Sequence, residues 1–206
     1  QVGAYLKTDL QEIVHEVPML SLANAFSYDE LLDFDDKIKK VVNNYTYVVE
    51  LKIDGIASSI HYEDGLLVLG ATRGNGVIGE NITNNVLKVN KLPKVLTDKI
   101  DVEIRGEVYM SKDVFASLNE KRATEGLPLF ANPRNAAGGS LRQLDASITK
   151  ERKLEQFAYT LVNPENYDIH TQADAMAYMK HLGFNVNPHY RHCQNIQEVI
   201  AYIEEY

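Results

Sequence analysis

The sequence predicts an α+β domain in which antiparallel β-sheets carry peripheral helices. Two β-rich runs, residues 56–62 and 66–72, meet at Asp64-Gly65, a pair that favours a tight hairpin. The stretch DVEIRGEVYM (101–110) alternates, with Val102, Ile104 and Val108 on one face and Glu103, Arg105, Glu107 and Tyr109 on the other. Helical segments stand beside these runs with their own caps, and do not repeat as strand–helix–strand units.

Taken in order, Ser27 caps a helix running to about Asn43, with Glu30 completing a capping box and Leu31, Phe34, Ile38 and Val41 forming an apolar stripe. The β-branched and aromatic run YTYVVELKI makes a strand over 45–53, broken by Asp54-Gly55. The hairpin strands and the alternating strand follow, and Ser111 caps the next helix. Phe157 and Tyr159 lie in a further strand. Thr171 with Asp174 opens a helix that stops at Gly183, and Asn195 with Glu198 opens a last amphipathic one, NIQEVIAYIEEY.

Composition narrows the class of protein. With 206 residues and 45% hydrophobic content the chain buries one substantial core. A net charge of −8 opposes a generally basic nucleic-acid binder, so any DNA contact is a local patch. The single cysteine, Cys193, permits neither a disulfide framework nor a four-cysteine zinc site, which suits a reducing cytoplasm. Signal-peptide patterns, repeats, low-complexity tracts and apolar runs long enough to span a bilayer are all missing. The chain opens at Gln1 without a methionine and closes inside an amphipathic segment, and so reads as a piece of a longer protein.

The chemistry concentrates at ELKIDG (50–55). Lys52 lies between two β-type residues at a strand end, a rigid mount for a nucleophile. Its amine attacks phosphorus only when neutral, whereas an ordinary lysine has a pKa of about 10.4, so burial or a nearby cation has to favour the neutral form. On KxDG alone an ordinary surface lysine before a turn is the commoner explanation. A second motif, GNGVIG (74–79), matches GxGxxG, follows a strand, precedes the helix-like ENITNNVLKV and has Asp98 nearly 20 residues on, as in a dinucleotide-binding Rossmann unit. Its preceding strand belongs to a hairpin and the βαβ alternation does not continue, which disfavours that reading.

Five blocks occur in order: HEVPMLSLANAF (15–26), ELKIDG (50–55), ATRGNGVIGENIT (71–83), EIRGEVYM (103–110) and FANPRNAAGGSLRQLD (130–145). Together they closely resemble the adenylation domain of bacterial NAD-dependent DNA ligases, over residues 15–162 and more weakly to the end. The resemblance implies a ligase-type nucleotidyltransferase fold, incomplete here, spanning 1–206 as one domain. Against the family pattern, the N-terminal subdomain that binds the nicotinamide half is missing. So are two later lysine motifs and everything C-terminal to them, including the family's zinc finger, and this piece by itself is therefore expected not to complete ligation.

The resemblance also implies roles. Lys52 forms a covalent lysyl-AMP from NAD, releasing nicotinamide mononucleotide, and AMP passes to the 5′-phosphate of nicked double-stranded DNA. The 3′-hydroxyl then displaces it. Asp54 matches the acid of KxDG, with turn formation as its plain alternative. Arg73 would stand beside the α-phosphate, with Mg²⁺ or Mn²⁺ sharing the charge. Glu107 would bind the ribose, and Glu50 the adenine amino group, a cross-strand charge pair being the alternative for Glu50. Ser21 and Leu22 match a stretch bordering the nucleotide, where Ala23 replaces the usual acidic residue. Tyr159 matches the adenine-stacking aromatic, although a strand aromatic is more often core. Arg134 and Arg142 are plausible contacts to the released nucleotide's phosphate or to the DNA 5′-phosphate.

His189, His192 and Cys193 in HYRHC lack a fourth ligand at suitable spacing, so no metal is expected there. The expected protein is monomeric, cytoplasmic and not bound to membrane. Two alternatives stay open. One is an ATP- or GTP-using relative sharing KxDG, against which FANPRNAAGGSLRQLD argues. The other is a catalytically silent fragment that holds adenosine.

Overall fold

A computed structural model describes residues 10–206; the opening at Gln1, and so the first part of the expected 1–206 domain, lies outside the described residues. After a short strand β1 (Glu12–Val14), helix α1 (Tyr28–Lys39) starts at Ser27, whose hydroxyl accepts from the Glu30 amide at 3.2 Å. Glu30 in turn accepts from the Phe26 amide, closing a box across the helix start. The helix ends near Lys40 and not at Asn43, and the expected stripe is only half used. Leu31 and Ile38 turn inward, whereas Phe34 is 51% and Val41 84% exposed.

What α1 buries is a carboxylate. Asp35, 3% exposed, accepts from the hydroxyls of Tyr45 at 2.7 Å and Tyr47 at 2.5 Å and pairs with Lys39 at 2.7 Å. The Lys39 contact and the two tyrosine hydroxyls hold its acid at about 2. Hydrophobic periodicity carries no signal for such a polar anchor.

Strand β2 (Tyr47–Glu50) is shorter than the predicted 45–53 because its partner is short: it pairs antiparallel with β8 (Tyr190–Cys193). Strand β8 lies within HYRHC, which is therefore a sheet segment. Cys193 is fully buried opposite Tyr47, and His192 points to the Thr46 hydroxyl at 2.7 Å. Helix α7 (Ile196–Glu204), capped by Asn195, closes a small second cluster with Leu31, Tyr47 and Val49.

The main sheet has four antiparallel strands, β3 (Ile56–Glu63), β4 (Leu66–Thr72), β6 (Val102–Tyr109) and β7 (Glu155–Leu161), in the order β4-β3-β6-β7. The predicted hairpin joins β3 to β4, with Asp64 at φ 49° and Gly65 at φ 77°, both left-handed as its turn requires. Another two-stranded piece pairs β5 (Ile78–Glu80) with β1. The helix-like 80–89 segment yields only α2 (Thr83–Val86). Helix α3 (Lys112–Thr124) is capped by Ser111 as predicted. It is followed by α4 (Pro133–Leu141), α5 (Ala146–Glu151) and, after β7, α6 (Gln172–Leu182), which stops at Gly183.

The alternation of β6 divides the molecule. Val102, Ile104 and Val108 enter the core with Leu141, Leu154, Met176 and Met179, leaving the polar face for chemistry. On that face Glu103 accepts from the Ser59 hydroxyl at 2.7 Å and pairs with His61 and Arg105. Burial alone would raise its acid, but the hydrogen bonds from His61 and Ser59 outweigh it and hold the group at about 2. A carboxylate depressed in the fold stabilises above its unfolded value of about 4.5 and loses that contribution as pH falls toward 2. Glu103→Gln is therefore expected to cost on the order of 2–3 kcal/mol near neutral pH. Denaturant melts of both forms should draw together as pH falls below about 4.5 and converge only near pH 2; an undiminished gap at about pH 2 would refute the linkage.

Candidate active site

The bridge between the two sheets carries the lysine. Strand β2 ends at Glu50, and residues 51–55 run without regular pairing into β3 at Ile56. Lys52 and Asp54 are exposed on this bridge, so burial of Lys52, one of the two expected sources of activation, does not come from the protein itself. Gly55 marks its far end, where its backbone lies against β6. A Cβ there would stand 2.2 Å from the Val108 carbonyl oxygen. The glycine is required by close approach and not by a left-handed turn, since neither Asp54 nor Gly55 has positive φ.

Glu107 is the hub. Its carboxylate accepts from the Gly55 amide and the Tyr159 hydroxyl, and lies within the fields of Lys52 and Arg134. Burial pushes its acid above the ordinary range, and those four partners pull it back. Tyr159 is brought in by a bulge: β6 pairs Arg105 with Thr160 and Gly106 with Ala158, so Tyr159 has no cross-strand partner. Burial, with the Glu107 charge second, pushes its phenol up to about 12. A tyrosine donating to a carboxylate is a polar group of the cleft, which corrects the plain expectation of a core aromatic.

Arg73 follows β4 directly and donates to the Ser21 hydroxyl at 3.3 Å, and its charge also reaches Tyr159. Lys52, Arg73, Glu107, Arg134, Tyr159 and Ser21 thus converge. Leu22 does not join them by any described contact, being 91% exposed. Arg142 caps α4 and pairs with Glu80 at 3.2 Å, which separates it from Arg134 at the helix's other end. The small residues between the two arginines serve packing, since a Cβ on Gly138 would meet Ile56 Cδ1 at 3.2 Å.

Glu50 fits neither solvent nor a charge pair. It stands opposite Tyr190, its Oε1 is buried without a donor, and burial raises its acid. An orphaned acceptor of this kind suits a ligand N–H.

The GNGVIG segment is a turn between β4 and β5. Gly74 takes φ 58°, and a Cβ on it would stand 2.0 Å from the Ile78 carbonyl oxygen. The amides of Val77 and Ile78 are occupied by the Asn75 side chain at 2.9 and 2.7 Å. The loop is therefore filled from within, and its short α2 offers no dinucleotide cradle.

Residues 7–206 match the family model described as the NAD-dependent DNA ligase adenylation domain. The chain belongs to that family. It is 48% identical over 208 residues to the DNA ligase of Thermotoga maritima, covering 100% of this chain and 30% of that protein. It is 47% identical over 207 residues to the DNA ligase of Lactobacillus acidophilus and 48% over 209 to that of Limosilactobacillus reuteri, covering 100% of this chain and 31% of each relative. The chain thus spans about a third of the length of the curated relatives it matches.

In this adenylation domain three supports escape a reading of the sequence. Arg105, 7% exposed, donates to the carbonyls of Pro18 at 3.1 Å and of Val17, strapping 15–19 across the sheet. His15 Nε2 lies 3.0 Å from the Thr72 carbonyl oxygen and 3.2 Å from that of Arg73, tying the same strap to the Arg73 strand end. Asn187 holds the Lys52 bridge from behind. The block HEVPML and the polar face of β6 are visible in the sequence, but nothing in it pairs them across nearly 90 residues.

Among the described residues no three His, Cys, Asp or Glu gather to hold a metal ion, and no helix is long and apolar enough to cross a membrane.

Proposed function

We propose that this chain is the nucleotidyltransferase core of a NAD-dependent DNA ligase, one domain over 1–206 with the ligase-type fold, and that Lys52 carries AMP as a covalent adduct. The observation that carries this reading is the convergence of Lys52, Arg134, Tyr159 and the Gly55 amide on the Glu107 carboxylate. Glu107 has the burial and the free lone pairs to take ribose hydroxyls, and the orphaned Glu50 Oε1 accepts from the adenine amino group. Tyr159 borders the base, Ser21 orients Arg73, and Asp54 keeps the bridge polar beside the lysine.

In the first step the Lys52 Nζ lone pair forms a P–N bond to the α-phosphorus of NAD, with its proton lost to solvent. The bond to the nicotinamide mononucleotide phosphate breaks and the leaving oxygen keeps the electron pair. Lys52 is exposed, so water is excluded from the reacting atoms only once the nucleotide itself covers the bridge. Arg73 and Arg134 offer guanidinium donors to the phosphate oxygens. In the second step a 5′-phosphate oxygen of nicked DNA forms the new bond to phosphorus, the P–N bond breaks, and Lys52 regains a proton. Arg142, at the far end of α4 and paired with Glu80, would have to exchange that partner to meet a separate phosphate, such as one of the DNA. The 3′-hydroxyl then displaces AMP and seals the strand.

Mg²⁺ is known to suit phosphoryl-type chemistry, but the described side chains do not assemble a site for it, so its place would be on the nucleotide's phosphates and no step is assigned to it. The reading also makes the protein a monomeric, cytoplasmic participant in DNA replication and repair. To test it, the chain is incubated with NAD and Mg²⁺, and in parallel with ATP, and its intact mass and digest are read. One adenylyl group on Lys52 from NAD alone is expected. AMP on another residue, labelling from ATP instead of NAD, or AMP bound with no adduct would each overturn the reading, the last in favour of a silent adenosine-binding module.

A further inference from the structure

The bridge that carries Lys52 is pinned at both ends, and one pin comes from far along the chain. At the Gly55 end, the amide bonds to Glu107 and the backbone lies against Val108. At the other end, both backbone groups of Leu51 are held by the segment 187–189. The Leu51 amide donates to the His189 carbonyl at 3.1 Å, and the Leu51 carbonyl accepts from Asn187 Nδ2 at 2.7 Å. Asn187 is 6% exposed, and its Oδ1 accepts from the His189 amide at 2.9 Å, so the one side chain shapes the segment and grips the bridge. Two residues earlier the same segment touches the main sheet: the Ala158 amide donates to the Asn185 carbonyl at 2.8 Å, and Ala158 pairs with Val186. Ala158 precedes Tyr159, and Leu51 precedes Lys52.

We propose that Asn187 is a positioning residue for nucleotidyl transfer, the grip through which segment 185–189 spans from β7 to the bridge and sets the distance and direction of Lys52 Nζ relative to a nucleotide held at Glu107 and Tyr159. This rests on the function proposed above. The physical basis is that attack needs the reacting atoms about 3–3.5 Å apart and aligned, and a misplacement of about 1 Å costs about 10²-fold. A bridge held only at Gly55 leaves residues 51–54 free to swing; held at Leu51 as well, it leaves only 52–54, which narrows the positions open to Lys52.

Asn187→Asp is the informative variant. It keeps the acceptor for the His189 amide, but sets a carboxylate in place of the donor facing the Leu51 carbonyl. The single-turnover rate of lysyl-AMP formation at saturating NAD is expected to fall roughly 10- to 100-fold. AMP affinity should change less than about threefold, because the Glu107–Tyr159 side is untouched. Hydrogen exchange at the Leu51 amide should rise by a similar factor to the rate loss, which reads the pin without the chemistry. A variant that melts as the parent does and keeps the parental rate overturns the proposal, as does unchanged exchange at Leu51. Rate and AMP binding falling together would show a role in the fold alone and overturn it too. A parent chain that binds AMP but forms no adduct defeats the nucleotidyl-transfer reading, and this proposal with it; an active parent with an unaffected variant defeats only the role of Asn187.

Discussion

Lys52→Ala is expected to abolish lysyl-AMP formation completely while leaving the protein folded. The loss is total because the proposed adduct is built on Nζ itself, and the neighbouring cations cannot replace it. The guanidinium groups of Arg73 and Arg134 offer donors but no lone pair. The fold survives because the Lys52 side chain is exposed, on a bridge outside both sheets and outside either apolar cluster. Substitutions at such positions usually change stability by no more than about 0.5 kcal/mol. Intact mass after incubation with NAD reads the adduct, and a thermal melt reads the fold. Adenylation retained in the variant would remove Lys52 as the nucleophile. Lysine to arginine is expected to fail as well, which separates nucleophilicity from charge.

The second large effect is expected from Gly55→Ala, a change of one methyl group that touches no ligand. The new Cβ would lie 2.2 Å from the Val108 carbonyl oxygen and 3.1 Å from Glu107 Cγ. The first contact is with backbone in the buried centre of the sheet, where β6 is paired on both sides, so β6 cannot yield. The bridge has to move, which breaks the Gly55 amide bond to the Glu107 carboxylate and shifts Lys52 three residues away. A displacement of about 1 Å predicts a rate of self-adenylation reduced about 10²-fold or more. Weaker AMP binding should accompany it, because Glu107 loses a donor. Full activity in a folded Gly55→Ala protein would show that the bridge tolerates a different path over β6.

Much of the fold is legible in the sequence because the signals are local. The Asp64-Gly65 turn, the caps at Ser27, Ser111, Thr171 and Asn195 and the stop at Gly183 all stand where the sequence places them. The alternation of β6 holds residue by residue, core on one side and chemistry on the other. Each depends on neighbours within a few residues, and so survives without knowledge of the rest.

The departures share a different cause. Strand β2 is cut at Glu50 because its ladder is as long as β8, which lies 140 residues on in a stretch that reads as a histidine cluster. The stripe of α1 is interrupted because Asp35 is solvated by two tyrosines from the next segment, a compensation invisible to hydrophobic periodicity. GNGVIG keeps the letters of a phosphate loop, yet its amides are taken by Asn75 and its strand by a hairpin.

The same division runs through the candidate site. By itself the sequence determined the residue types and their blocks: a lysine before Asp-Gly, an arginine after a strand, a glutamate on the polar face of another, and the family those blocks belong to. Tertiary structure alone decided which of them meet. It brings Lys52, Arg134 and Tyr159 to Glu107, sets Arg142 apart on Glu80, leaves Leu22 outside, and recruits Arg105, His15 and Asn187 as supports. The reason is physical: a cap or a turn is satisfied by atoms a few residues away, whereas a buried donor or acceptor is satisfied by whatever backbone the packed sheets happen to bring within 3 Å.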